Sequence, residues 1–336
     1  MRTKLRKLWV VWTLPGLLLL ISNTIFAAEV LKDWNNTPAK QAIIQYVNKV
    51  VDIHSGYYIK PADRIAVFDN DGTVQLEKPY AFIDMFALVR VRDMALNDSE
   101  QLTKKYPKWK NDTTVQKIIK TPENKLYEFL PKMKYEDLIR IFKLANGNGS
   151  QAEQDKALAD YVHNYSHIRF HKPPAELVYK PMVELIRYLK DNGFTVYFVS
   201  GSTTDYLRQF SEDIGIAKNN VIGWEFLSEV KYNKNGKMYI QKIPESIEPI
   251  SNKEGKPVNI ARYIGRRPVF AAGNSSGDIA MLTYVHENKL PSLCLIVSHT
   301  DSEREYKYDF GQSVRNTAEK QGWIVIDMKK DFKEVF

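Results

Sequence analysis

Arg64-Ile65-Ala66-Val67-Phe68, followed by Asp69-Asn70-Asp71-Gly72-Thr73, is the stretch on which the fold turns. Four consecutive apolar residues, two of them β-branched, do not alternate between core and water, so they read as a strand buried on both faces, as in parallel sheets. The polar run that stops the strand throws two carboxylates, Asp69 and Asp71, into one small space where a phosphate or a metal could meet both. Gly72 relieves the tight turn, and Thr73 can hydrogen-bond the loop. An ordinary surface turn uses the same residue types, but the position directly after an apolar strand favours a functional loop.

Working outward, residues 195–199, 269–272, 293–297 and 323–326 repeat the short apolar pattern. Helical patterns lie between several of them, notably Met182, Leu185, Ile186 and Leu189 on one face, with Pro181 at the start and Gly193 as the stop. Near the beginning, Ile43, Val47, Val50 and Val51 after Pro38 give an amphipathic helix. This alternation predicts an α/β fold, a Rossmann-like, doubly wound, mostly parallel sheet with its ligand site at the carboxyl ends of the strands. Residues 79–171 break the alternation. They offer helical runs such as Leu138, Ile141, Phe142 and Ala145, and a capping box at Ser150 and Glu153, and they read as an inserted α-helical cap. The core is then 29–78 and 172–336, with a small hairpin at 229–241 around Asn235-Gly236, placed to act as a flap.

Two further strand ends carry chemistry. Ser200-Gly201-Ser202 follows the second strand, a hydroxyl beside backbone N–H groups suited to phosphate oxygens, although serine and glycine also simply begin loops. Gly273-Asn274-Ser275-Ser276-Gly277-Asp278 follows the third, and upstream Gly255-Lys256-Pro257 opens a helix that would bring the Lys256 ammonium to the same edge.

These four motifs, in this order, resemble the haloacid dehalogenase superfamily, and more narrowly its phosphoserine-phosphatase-like branch with its exported members. The resemblance spans Asp69 to about Leu282. It implies that Asp69 is the nucleophile, forming an aspartyl-phosphate, and that Asp71 is the general acid and then base. It implies that Lys256 offsets the negative charge, and that Ser200, Gly201 and Asn70 hold phosphate oxygens. Mg2+ is the implied cofactor, with Asp69, the Asp71 backbone carbonyl, Asn274 and Asp278 as candidate ligands. Many members carry aspartate at the place of Asn274, so whether Asn274 or Asp278 touches the ion stays open. Lys253 competes with Lys256, which is preferred for its place before the helix. An acid two residues after the nucleophile serves expulsion of an alkoxide and not a dehalogenation, so phosphomonoester hydrolysis is expected, with a small phosphorylated metabolite enclosed by the cap. A phosphotransferase or mutase using the same aspartyl-phosphate, and a non-catalytic binding protein of the same fold, are the alternatives.

Composition fits this picture. The chain has 336 residues, 44% hydrophobic and 26% charged, which is ordinary for a globular protein and excludes collagen-like and disordered classes. Residues 1–28 open with Arg2, Lys4, Arg6 and Lys7, continue through an apolar run interrupted by Pro15, and end in Phe26-Ala27-Ala28. They read as a cleavable signal peptide, so a secreted or periplasmic protein is expected, free of the membrane after cleavage. Loss of four basic residues lowers the formal charge from +8 to +4, which leaves little footprint for nucleic acid. The lone Cys294 cannot form an intrachain disulfide and reads as inert core. His163, His167 and His171 recur every fourth residue, but Pro173 and Pro174 end the helix early, so a solvated or hinge face is expected in place of a zinc site. Tyr80, Phe82, Phe86, Tyr127 and Phe129 read as packing core, with a cage for a cationic head group as the sharper reading. Arg266-Arg267 reads as a surface pair, and Asp301, Glu303 and Arg304 as neighbours of the site edge.

Overall fold

Strand β1, Ile65–Phe68, is buried along its whole length and lies in the middle of a six-stranded sheet. The computed structural model describes residues 30–147, 149–247 and 251–336. The expected leader, residues 1–28, lies outside the described residues. Helix α1, Pro38–Val51, precedes β1 and buries Ile43, Val47 and Val50, the face expected from their spacing.

After β1 come helices α2 (Phe82–Asn97), α3 (Ser99–Lys105), α4 (Thr113–Lys120), α5 (Tyr135–Asn146) and α6 (Gln151–Asn164). Nine of the sixteen residues of α2 are buried with no single apolar face, because neighbouring helices surround it. Helix α6 begins with the capping box expected at Ser150 and Glu153.

The chain returns through α7 (Lys180–Asp191) to β2 (Thr195–Thr203), the one-turn α8 (Thr204–Leu207) and β3 (Val221–Trp224). A hairpin follows, β4 (Phe226–Tyr232) and β5 (Met238–Ile247), longer than the 229–241 expected from its turn. Gly236 takes φ of 72° in that turn. Then come α9 (Gly255–Tyr263), β6 (Phe270–Gly273), α10 (Ile279–His286), β7 (Leu293–Ser298), α11 (Gln312–Gln321), β8 (Ile324–Asp327) and α12 (Met328–Asp331).

The sheet order is β3-β2-β1-β6-β7-β8, with every pairing parallel. Alternate strand residues feed two cores. Phe68, Phe198 and Phe270 pack with α1 and α7, while Val67, Ala271, Cys294 and Ile296 pack with α9, α10 and α11. Strand order reverses between β1 and β6, which opens a crevice at their carboxyl ends. Asp69 stands there, its backbone N–H donating to the Ala272 carbonyl at 3.0 Å. Among the described residues no helix is long and apolar enough to cross a membrane.

Candidate active site

The turn after β1 is wound around one carbonyl. Asn70 O accepts from the N–H groups of Thr73, Val74 and Gln75 at 3.0, 2.8 and 3.0 Å, and Gly72 takes φ of 76° to close the curve. A Cβ at Gly72 would run into the Asn274 amide nitrogen and Glu77 Oε2, so the loops after β1 and β6 meet at a residue without a side chain.

The turn leaves Asp69 facing Lys256, in the first turn of α9. Lys256 Nζ lies 2.5 Å from Asp69 Oδ1 and 2.6 Å from Asp278 Oδ1, all three groups being buried. Burial alone would drive the ammonium to lose its proton, but Asp278 and Asp69 outweigh it and hold Lys256 charged. Burial and the neighbouring charge of Asp278 push Asp69 upward, and Lys256 opposes them. The second oxygen of Asp69 receives the Thr73 hydroxyl, at 3.4 Å.

Asp71 is held from the adjacent strand end. Ser202 Oγ donates to Asp71 Oδ2 at 2.7 Å, and Asn70 Nδ2 approaches Oδ1 at 3.3 Å. Burial raises Asp71 to about 6, against the pull of the Ser202 hydrogen bond, and the charge of Glu77 adds to the rise. Asp84, in the first turn of α2, is raised to about 7 by burial and then by Asp71. Two carboxyls raised toward neutrality therefore lie within reach of each other's charge, one from the loop and one from the helical insertion.

Ser200 and Gly201 sit beside this pair. Ser200 is buried, its Oγ accepting the Ser202 N–H at 3.0 Å, and Gly201 is exposed, with room for a side chain apart from the Ser251 carbonyl at 3.9 Å. Asn70 is the third residue expected to hold phosphate oxygens. Its side chain is buried and its amide donates inward to Asp71 and to Gln75 Oε1, so a phosphate contact from this residue falls to its backbone N–H. Tyr206 and the Pro174 carbonyl hold Gln75 in turn.

Asp278 is likewise placed otherwise than as an open ligand. Its Oδ1 takes Lys256, and its Oδ2 accepts from the N–H groups of Asn274 and Ser275, both at 3.0 Å, and from the Ser275 hydroxyl at 3.3 Å. It ties the lysine to the loop. The oxygens left for a cation are Asp69 Oδ2, the Asp71 carbonyl, which accepts no hydrogen bond from a described residue, and the Asn274 amide oxygen. An all-oxygen set with one carboxylate suits a hard divalent ion such as Mg2+. Lys253 has φ of 48° in the turn before α9 and makes no contact with Asp69.

The segment after β7, where the sequence pointed to Asp301, Glu303 and Arg304, backs the site through other residues, His299, Glu305 and Tyr308. His299 Nε2 donates to the Gly72 carbonyl at 2.8 Å, and its Nδ1 meets Glu305 Oε2 at 3.1 Å. Tyr308 stacks on His299 with ring centroids 4.0 Å apart and donates its hydroxyl to Glu77 Oε2 at 2.9 Å. Asp301 and Arg304, expected near the site edge, instead pair with each other, and Arg304 caps the carbonyls of Met328, Lys329, Phe332 and Lys333. They secure the C-terminal segment.

The three histidines do not share a face. α6 ends at Asn164, His163 and His171 are exposed, and His167 is fully buried among Tyr80, Phe82, Phe170 and Tyr306, not solvated as expected. The aromatic residues Tyr80, Phe82, Phe86 and Tyr127 pack on one another, on His167 and on Tyr161, as core. Arg266 pairs with Asp63 at the surface, and Arg267 donates to the Glu287 carbonyl. Burial pushes the Cys294 thiol up to about 12, in keeping with an inert core residue.

The model of the haloacid dehalogenase-like hydrolases matches residues 66–283, which include the loops after β1, β2 and β6 and the start of α9 but not the segment after β7. No curated protein matches the sequence. Among solved structures, a conserved protein of unknown function from Anaerococcus prevotii is similar at 18% identity, with 85% of this chain and 92% of that one covered and a TM-score of 0.54. A protein of unknown function from Bordetella pertussis shares 16% identity over 79% of this chain and 98% of its own, with a TM-score of 0.48. A phosphoserine phosphohydrolase-like protein from Francisella tularensis shares 12% over 80% and 95%, with a TM-score of 0.39. At such identities the likeness to the Anaerococcus protein is one of fold.

Proposed function

Because the chain belongs to the haloacid dehalogenase-like hydrolases, we propose that it is an exported, Mg2+-dependent phosphomonoesterase acting on a small phosphorylated metabolite. The observation that carries this reading is the Lys256 bridge to Asp69, with a second carboxyl, Asp71, held two residues on by Ser202.

One carboxylate oxygen of Asp69 attacks phosphorus, and the bond from phosphorus to the alcohol oxygen breaks. Asp71, raised to about 6 by burial, delivers its proton to the departing oxygen. The Asp71 carboxylate then takes a proton from water, whose oxygen attacks phosphorus and releases inorganic phosphate and free Asp69. Lys256 neutralises Asp69 during the approach of one anion to another, while Ser200 and Gly201 hold phosphoryl oxygens. Bound Mg2+, held by Asp69, the Asp71 carbonyl and Asn274, would supply further neutralisation of phosphate charge. Helices α2 to α6 exclude bulk water, and Asp84 gives the enclosed space a hydrogen-bonding group for the alcohol portion. The export reading rests on residues 1–28 of the sequence alone.

Phosphate release from a chromogenic phosphomonoester and a panel of small phosphorylated metabolites, with and without Mg2+, tests the reading beside Asp69→Asn. Release that depends on both Asp69 and Mg2+ is expected. Absence of such release across the panel would overturn it.

A further inference from the structure

Asn274 brings an amide where many relatives are expected to bring a carboxylate, and its surroundings supply the missing charge. Asn274 Nδ2 donates to Glu77 Oε2 at 3.1 Å. The same oxygen accepts the Tyr308 hydroxyl at 2.9 Å, and Lys78 Nζ lies 3.3 Å from Oε1. Glu77 and Asn274 both occupy the space that a Gly72 side chain would fill, next to the Asp71 carbonyl.

A carboxylate only accepts hydrogen bonds, and an amide presents a donor on one side and an acceptor on the other. With Glu77 taking the nitrogen, the Asn274 oxygen must turn away from it, and that oxygen accepts no hydrogen bond from a described residue. Partners behind a metal ligand fix its orientation and its basicity in this way. We propose that Glu77 is a positioning residue of the metal site, carrying the negative charge that Asn274 lacks and aiming the Asn274 oxygen at the ion. An aspartate at 274 would have placed a second carboxylate against Glu77 Oε2 with no proton between them. The pairing of Glu77 with an amide keeps one charge and one hydrogen bond where two charges would repel.

This inference rests on the Mg2+ reading above, and calorimetric titration of the full chain with MgCl2 in the absence of substrate separates the two. Glu77→Gln keeps a carbonyl for Asn274 and Tyr308 but removes the charge, and a Kd for Mg2+ at least about tenfold weaker is expected. The double variant Glu77→Gln with Asn274→Asp returns the charge on the other partner and reverses the hydrogen bond, so its Kd is expected within about threefold of the parent. Asn274→Asp alone should lower the melting temperature without metal and show a larger rise on adding Mg2+ than the parent. An unchanged Kd in Glu77→Gln, a double variant as weak as the single one, or an Asn274→Asp protein that melts like the parent overturns the inference. A parent chain that does not bind Mg2+ overturns the reading beneath it.

Discussion

Ser202 Oγ lies 2.7 Å from Asp71 Oδ2, joining the ends of β2 and β1 through residues 131 positions apart. The bond favours the ionised carboxyl and works against burial, which raises Asp71 to about 6. Ser202→Ala removes that restraint, so Asp71 keeps its proton to higher pH. The alkaline limb of kcat/KM, where the acid form is lost, should move up by roughly one unit, the worth of one hydrogen bond to a charged group. A limb that stays in place would separate Asp71 from the protonation of the leaving group.

Lys256 is enclosed with two carboxylates, and its loss leaves both without a counter-charge. Lys256→Met should cost about 3–5 kcal/mol of stability at pH 8. The deficit should shrink at pH 5, because the unpaired carboxyls have raised affinities for protons and the folded state gains by binding them as pH falls. Urea unfolding at the two pH values reads this directly. Equal deficits at both would contradict it.

His167 keeps its ring neutral inside the aromatic cluster. Burial lowers it from the usual 6.5 to about 4, and its Nδ1 accepts from the Arg169 and Phe170 N–H groups. Above pH 6.5 neither the folded nor the unfolded chain protonates it. Between 6.5 and 4 the unfolded chain alone takes the proton, so stability falls with pH, by on the order of 3 kcal/mol across that window. His167→Gln should flatten this part of the stability profile while costing some stability at every pH. A variant whose profile parallels that of the parent would show that another group sets the acid limb.

Gly72→Ala places a methyl group at φ of 76° against Asn274 and Glu77. Strain and displacement together should cost about 2–4 kcal/mol. The melting temperature should drop by several degrees, and phosphomonoesterase activity should fall with it. A melting temperature within about 1 °C of the parent would mean that the two loops have slack where they meet.

What could be read beforehand follows from how local each signal is. Strands β1, β2, β6 and β7 show themselves as short apolar runs because both of their faces are largely covered. β8, at the sheet edge opposite β3 with Val325 exposed, shows itself by its unbroken β-branched run Ile324-Val325-Ile326. β3 did not, since Val221-Ile222-Gly223-Trp224 is four residues long, contains a glycine and forms the sheet edge. The gathering of Asp69, Asp71, Ser200 and Lys256 was legible because each lies at or just past the carboxyl end of a strand or opens a helix. Glu77, His299 and Tyr308 were not. The bonds from Tyr308 to Glu77 and from His299 to Gly72 span 231 and 227 residues, and no local pattern marks either end. For Asn70 the sequence does not show which atom stays available, because its side chain is drawn inward by Gln75, a contact set by the fold of the turn.

Trp34 meets Phe332 in an isolated antiparallel bridge, their rings at 5.2 Å edge to face, while Asn35 N–H donates to Asp331 O and Lys333 N–H to Asp33 O. Residues 33–35 are therefore stitched to a segment that the ribosome makes nearly three hundred residues later. Whatever sheet and helices assemble during synthesis, this seam stays open until residue 333 has emerged. A chain paused short of that point leaves Trp34 without its ring partner and the Asp33 carbonyl without its backbone donor.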